Sequence, residues 1–344
     1  MKKISVIIPC YNVSAYIDRC MTSVTRQTTG MDSLEIICVD DASTDDTWKY
    51  LQKWEQMYPD DILLIRQEVN RRQGAARNLG LQYATAEWIT FIDADDWLEK
   101  DYFERLYDPI LKYGCDVSFC EWKTDTSNAL TYFMQEEKER EPEDHYFTAD
   151  TDEKRKKWIG NRILGDSPCG KIIRKSLLMD CRIFFPEDLA YEDMYWAPLL
   201  HVYAKSAYKV KESLYHYFVG NSSTVRSRNS DYHIDWISVQ LIKWNDYSER
   251  GLMKKYPKEL EQDVLNDAAC FLKTLVLRYD DPPFSLFLLE REWIMQHIPN
   301  HKENPYLVNC AEIFSVLLDA LYSPMNKEEF RIFVEEARKY WGQL

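Results

Sequence analysis

Residues 93–96 read Asp93-Ala94-Asp95-Asp96 and stand at the end of an apolar, partly β-branched run, Glu87-Trp88-Ile89-Thr90-Phe91-Ile92. Three carboxylates within four residues repel one another unless something positive joins them, and on an extended segment Asp93 and Asp95, two apart, point the same way. A divalent cation answers that arrangement. Mg²⁺ or Mn²⁺ held by one or two carboxylates takes its other ligands from water and from a substrate's phosphates, so a phosphate-bearing ligand is implied with the metal. The plain alternative is a solvated turn whose aspartates cap a helix.

Such a cluster needs a scaffold. With 344 residues, 45% hydrophobic and 14% aromatic, the chain has material for one large globular domain and a smaller one. Its formal charge of −14 argues against nucleic acid as a partner, because phosphate backbones are held by clustered Lys and Arg. Nine cysteines without paired spacing suit reduced core thiols, not a disulfide framework or a zinc site. Met1-Lys2-Lys3 leads only into a short apolar run ending at Pro9, and no 18-residue apolar span occurs, so the expected location is the cytoplasm.

Ile4-Ser5-Val6-Ile7-Ile8-Pro9 suits a central parallel strand, closed by a proline that cannot donate to a ladder. Ser14 is expected to cap a helix carrying Ile17, Cys20, Met21 and Val24, and 35–39 to return as a second strand delivering Asp40 and Asp41. Ser43 and Thr44 offer caps for the next helix, with Asp45 and Asp46 in its first turn. Residues 62–65 make a third strand, Gly74 to Gly80 begin a helix, and 88–92 form the fourth strand. This alternation predicts an α/β fold with a parallel, doubly wound sheet, whose ligands sit beyond the carboxyl ends of the strands. Pro9-Cys10-Tyr11-Asn12, Asp40-Asp41 and Asp93-Ala94-Asp95 should therefore share one crevice. No Gly-x-Gly-x-x-Gly follows the first strand and no Walker-type loop occurs, which excludes the usual dinucleotide and P-loop modes.

The ordered set Val6-Ile7-Ile8-Pro9-Cys10-Tyr11-Asn12, Val39-Asp40-Asp41-Ala42-Ser43-Thr44-Asp45-Asp46-Thr47, Asn70…Gly74-Ala75-Ala76-Arg77-Asn78 and Phe91-Ile92-Asp93-Ala94-Asp95-Asp96 resembles the family-two, inverting, nucleotide-sugar-dependent glycosyltransferases of the GT-A fold. The resemblance covers residues 3 to about 100 and implies a Rossmann-like, mostly parallel sheet. It implies that Tyr11 packs on uracil, that Pro9 and Asn12 shape that loop, and that Asp40 accepts a hydrogen bond from the base. Arg71, Arg72 and Arg77 lie where the family places a cation near the nucleotide. Asp93 would contact the ribose or the metal, with Ala94 inside the motif, and Asp95 would bind Mn²⁺ or Mg²⁺ bridging the diphosphate. Read without the resemblance, Tyr11 is a rim residue, Asp40 a helix cap and an arginine a solvated surface group.

Ser167-Pro168-Cys169-Gly170-Lys171-Ile172-Ile173-Arg174 and Phe185-Pro186-Glu187-Asp188-Leu189-Ala190-Tyr191-Glu192-Asp193-Met194-Tyr195-Trp196 resemble the acceptor half of the same family. By that resemblance Asp193 is the general base, with Glu192 as fallback base or orienting partner. On residue type alone the pair also suits the start of a helix from Met194 to Tyr203. Leu214-Tyr215-His216-Tyr217-Phe218, with Asn221-Ser222-Ser223-Thr224, resembles a loop closing on the diphosphate, with Ser222, Ser223 and Arg226 as donors and His216 as a metal or phosphate contact. The bland reading packs His216 on its strand.

Residues 99–113 suit a helix that Pro109 kinks or ends, and Val117 to Trp122 a strand. The charged stretch 123–157 suits an exposed hairpin or lid over the acceptor side, with Glu136-Glu137 solvated and His145 at the surface. From about 231 the pattern is helical, with Asn326 capping the last helix. Trp236, Trp244, Trp293 and Trp341 read as core or rim aromatics, or as a membrane interface. The expected layout is a domain over 1–228, its donor half 1–100 and acceptor half 101–228, followed by a C-terminal all-helical region, 229–344.

The expected activity is metal-dependent, inverting transfer from a UDP-sugar to a hydroxyl of a glycan or lipid-linked acceptor in surface polysaccharide assembly. Region 229–344 offers a peripheral contact with the inner membrane face or a homodimer contact. Two rivals are a non-catalytic nucleotide-sugar-binding module and an Asp-based phosphatase. The latter usually places its aspartates on the opening strand, whereas here they follow the fourth.

Overall fold

The computed structural model describes residues 2–126, 145–220, 226–309 and 312–341. Residues 127–144 of the expected lid, with Glu136 and Glu137, and Asn221 to Thr224 lie outside them. Two compact units divide the chain: 1–158 with 162–221, and 159–161 with 222–344.

The first unit opens with strand and helix in alternation: β1 (Ile4–Cys10), α1 (Ile17–Thr25), β2 (Leu34–Asp40), α2 (Thr47–Met57), β3 (Ile62–Arg66), α3 (Arg72–Tyr83) and β4 (Trp88–Phe91). The four strands pair in parallel in the order β3-β2-β1-β4. Nearly every residue of β1, β2 and β4 is buried, so both faces are covered and the strands read as apolar runs without alternation. There follow β5 (Trp97–Leu98), α4 (Tyr102–Tyr113), β6 (Val117–Asp125), β7 (Tyr146–Thr148), α5 (Asp152–Gly160), β8 (Lys171–Arg174), α6 (Lys175–Asp180), α7 (Asp193–Tyr203) and β9 (Ser206–Phe218). β8 is antiparallel to both β4 and β6, while β9 runs parallel to β6 and antiparallel to β5 and β7. The sheet is therefore mixed, with its parallel half carrying the strand ends expected to bind ligand.

Several local expectations change. Ser14 does not cap α1, which starts at Ile17; the Ser14 amide donates instead to Asp45 Oδ2 at 3.1 Å. Ser43 and Thr44 do not cap α2. The Asn12 amide donates to Ser43 Oγ at 3.0 Å, and the Thr44 amide donates to Asn12 Oδ1 at 2.8 Å. These short polar side chains tie together the loops that follow β1 and β2. Pro109 sits inside α4, which continues to Tyr113. His145, expected at the surface, is buried edge-on against Tyr208 at 6.0 Å. β9 unites two runs that the sequence showed apart, because register shifts against β6 absorb extra residues between Val210 and Tyr215.

The second unit contains α8 (Asp235–Glu249), α9 (Leu252–Lys255), α10 (Pro257–Arg278), α11 (Phe284–His297), α12 (Glu312–Tyr322) and α13 (Lys327–Trp341). α10 is its axis: Leu260, Val264, Leu265, Leu272 and Leu275 are fully buried, and α8, α11, α12 and α13 pack on it. Asn326 caps α13 as expected. Its Oδ1 accepts the amides of Glu328 (2.9 Å) and Glu329 (3.0 Å), and Glu329 Oε2 accepts the Asn326 amide at 2.7 Å, closing a capping box. Trp236 and Trp341 are buried, and the half-buried Trp244 and Trp293 pack edge to face at 5.4 Å. Among the described residues no helix is long and apolar enough to cross a membrane.

Candidate active site

The ends of β1 and β2 form the first wall. Tyr11 is 47% exposed beside a half-buried Pro9, and Asn12 takes a left-handed conformation (φ 52°) while its side chain holds the loop after β2. Asp40 is fully buried, with its carboxylate 3.0 Å from Arg66 Nε and accepting the Ser43 amide at 3.3 Å. Asp41 Oδ1 accepts from Gln67 Nε2 (2.6 Å) and the Arg71 amide (2.7 Å), which fixes the entry to α3. The Arg71 side chain lies at the rim, paired with Glu187 (2.8 Å) and Asp188 (3.0 Å). Arg72 begins α3 with a left-handed φ of 65°. Arg226 belongs to the second unit and is exposed.

Beyond β4 the three aspartates occupy different environments. Asp93 is half-buried and its Oδ1 accepts from the Arg77 guanidinium at 2.7 Å. Ala94 is buried. Asp95 has its pKa raised to about 6, by burial first and then by the charge of Asp93. Asp96 is wholly enclosed and accepts the Tyr215 hydroxyl (2.6 Å) on one oxygen and the Phe218 amide (2.7 Å) on the other, bracing the turn against β9. Tyr215 also accepts the Asp93 amide at 3.2 Å.

His216, expected as a metal or phosphate contact, lies in the core beside the strand that follows the aspartate turn. Pairing of β5 with β9 sets it opposite Trp97, and the fully buried ring stacks on that indole at 4.6 Å with Nε2 3.0 Å from Glu99 Oε1. Asp93 and Asp95 do fit a divalent cation. They are two neighbouring carboxylates, one destabilised by burial and by the other, and a bound cation relieves that repulsion. Among the described residues no cluster of three His, Cys, Asp or Glu is arranged to hold a metal, so a cation here would draw its other ligands from water and phosphate.

Arg77, expected near the nucleotide, is buried between carboxylates: one amino group donates to Asp93 and the other to Glu192 Oε1. Glu192 Oε2 accepts from Gln73 Nε2 at 2.9 Å. Both oxygens of Glu192 thus accept from side chains of α3, whereas Asp193 Oδ1 accepts the Met194 amide at 3.1 Å. Asp193 opens α7, and its carboxyl is pushed up to about 7 by burial first and by Glu192 next, against the pull of Arg77. Lys171, fully enclosed at the start of β8, donates to the Ser167 carbonyl at 2.5 Å. Burial lowers its pKa to about 8 while the Asp193 charge raises it.

The sequence reading assigned nothing to Gln73, Glu99 or Tyr215. It also missed Arg19, whose guanidinium lies 4.1 Å from the Trp97 ring centre and donates to the Asp95 carbonyl. Arg19 did leave a signal, a lone cation beside the apolar positions Ile17, Cys20, Met21 and Val24.

Residues 5–182 match the family model described as Glycosyl transferase family 2. EpsH of Bacillus subtilis is 29% identical over 278 residues, covering 78% of this chain and 76% of EpsH. Glycosyltransferase GlyA of Streptococcus pneumoniae is 39% identical over 132 residues, 38% of this chain but 18% of GlyA. The poly(ribitol-phosphate) beta-N-acetylglucosaminyltransferase TarS of Staphylococcus aureus is 28% identical over 82% of this chain and 48% of TarS. Residues 1–349 of TarS, solved with UDP-GlcNAc, share the fold at a TM-score of 0.58 and 19% identity, over 92% of this chain and 91% of that one. With more than half of its length matching the family model, and with this GT-A sheet, the chain belongs to glycosyl transferase family 2.

Proposed function

We propose that this glycosyltransferase moves a sugar from a UDP-sugar to a hydroxyl of a glycan or lipid-linked acceptor during assembly of a surface polysaccharide. The observation that carries the reading is the Asp93–Arg77–Glu192 bridge, which ties the carboxylates after β4 to the start of α7, where Asp193 stands. The names of relatives that act on poly(ribitol-phosphate), and a UDP-GlcNAc complex of a protein with this fold, support the class of donor and acceptor.

In this reading residues 1–100 bind the donor, with Tyr11 against the uracil and Asp40 accepting from it, and residues 101–228 receive the acceptor. Asp193 takes the proton of the acceptor hydroxyl as that oxygen bonds to the anomeric carbon. The bond from that carbon to the diphosphate breaks, UDP leaves with the electron pair, and the configuration inverts. Asp95 and Asp93 would hold Mn²⁺ or Mg²⁺, whose chemistry is Lewis-acid stabilisation of charge on the diphosphate. Arg77 and Glu192 orient the two acidic groups.

Asp193→Asn tests this assignment. Transfer is expected to fall by about a thousandfold, while UDP with Mn²⁺ raises the melting temperature as much as in the wild type and chelation removes that rise in both. Undiminished transfer by the variant would remove Asp193 as the base; stabilisation by UDP that chelation leaves intact would remove the metal.

A further inference from the structure

Trp122 lies on β6, in the strand half that leads to the carboxyl ends where the acidic groups gather, yet its side chain is 40% exposed. An indole left in solvent forgoes much of the hydrophobic gain its size offers. The surroundings hold it in place nonetheless. Its ring centre lies 5.7 Å from Tyr215 and 6.0 Å from Tyr217, both tilted to it by about the same angle (44° and 42°). The register shifts between β6 and β9 set these tyrosines here, pairing Tyr215 with Trp122 and Tyr217 with Thr124. Gly170 provides the seat: it has a φ of 69°, and a Cβ added there would meet Trp122 Nε1 at 2.6 Å.

The position also says what the ring faces. Tyr215 bonds to Asp96 and to the Asp93 amide, so one buried ring separates the indole from the aspartate turn. Lys171, next to Gly170, lies within electrostatic reach of Asp193. In the sheet order β1-β4-β8-β6, Trp122 stands three strand spacings from the end of β1, about 15 Å, which is too far to touch a base held by Tyr11 and Asp40. Base, aspartates and indole thus occupy three successive stations along the strand ends. A pyranose offers a C–H face that lies on an aromatic ring and hydroxyls at its edge that remain solvated or reach polar groups.

We propose that Trp122, flanked by Tyr217 and seated on Gly170, is a stacking subsite for a pyranose ring of the acceptor. The inference rests on the transfer reaction proposed above and adds the acceptor's chemical class and the residue that grips it.

Saturation-transfer NMR tests this with a panel of methyl pyranosides (glucoside, galactoside, N-acetylglucosaminide, mannoside), in the presence of UDP and Mn²⁺. UDP binding is followed in the same samples. At least one pyranoside is expected to receive saturation on its C–H face. In Trp122→Ala its affinity falls about tenfold, the effect of one aromatic contact of ~1.4 kcal/mol, while Trp122→Phe retains most of it and UDP binding is unchanged in both. Equal pyranoside signals in wild type and Trp122→Ala, or no pyranoside signal from the wild type, overturn the subsite. Failure of UDP to bind counts against the donor reading, and the pyranoside comparison still decides the subsite.

Discussion

Glu192 and Asp193 are adjacent carboxyls that chemistry separates. Glu192 spends both oxygens on Arg77 and Gln73, whereas Asp193 carries its charge in a buried setting that resists it, facing Glu192, Asp166 and Asp93 as like charges and Arg77 and Lys171 as opposite ones. Its carboxyl stands at about 7, and a base must be ionised to accept a proton. Because the shift is upward, protonation removes activity on the acid side: kcat/KM is expected to fall about tenfold per pH unit below 7 and to level off above it. The check is a pH profile at saturating donor and constant ionic strength. A profile level from pH 5.5 to 8 would show that the titrating group is not the base. The sequence could nominate this pair only through family resemblance, since an acidic pair at a helix start has an equally good electrostatic reason to be there. What distinguishes its members is Arg77, 115 residues away in the chain.

At the level of elements, α3 must approach the segment that leads into α7, and Gly74 permits it. A Cβ at Gly74 would run into the carbonyl oxygen of Pro186 and lie 3.3 Å from Cγ of Glu192. Helix propensity alone says that Gly→Ala inside a helix stabilises by about 1 kcal/mol. Here the obstacle is backbone, which cannot swing aside, so Gly74→Ala is expected to destabilise by about 1–3 kcal/mol and to lower kcat while UDP affinity holds. Denaturant melts and steady-state kinetics check both, and a stabilised, fully active variant would contradict the packing. The elements themselves were legible, because β1, β2 and β4 are covered on both faces and so appear as mostly apolar runs between helices. Their caps were not. Ser14, Ser43 and Thr44 have the right chemistry for caps, but their polar groups serve a partner loop about 30 residues away. The neighbours of His216 were not legible for the same kind of reason, since only the pairing of β5 with β9 reveals Glu99 and Trp97 beside it.

At the scale of the molecule, the second unit holds a charge in its core that the sequence pattern of amphipathic helices did not announce. Lys243 of α8 is fully buried and paired with Asp263 (2.6 Å) and Asp267 of α10, and Asp263 also accepts the Tyr247 hydroxyl at 2.9 Å. Removing the cation leaves two carboxylates enclosed without it, so Lys243→Met is expected to cost the helical unit about 3–5 kcal/mol although methionine fills similar space. None of these residues belongs to the acidic site after β4. Guanidinium unfolding of Lys243→Met should therefore split into two transitions, an early one that loses helical signal and a later one that UDP with Mn²⁺ shifts upward. If the two units unfold as one, a single transition falls to lower denaturant and UDP moves all of it. The same titration on the wild type, with and without UDP, then shows whether that coupling belongs to the native chain or arises from the substitution.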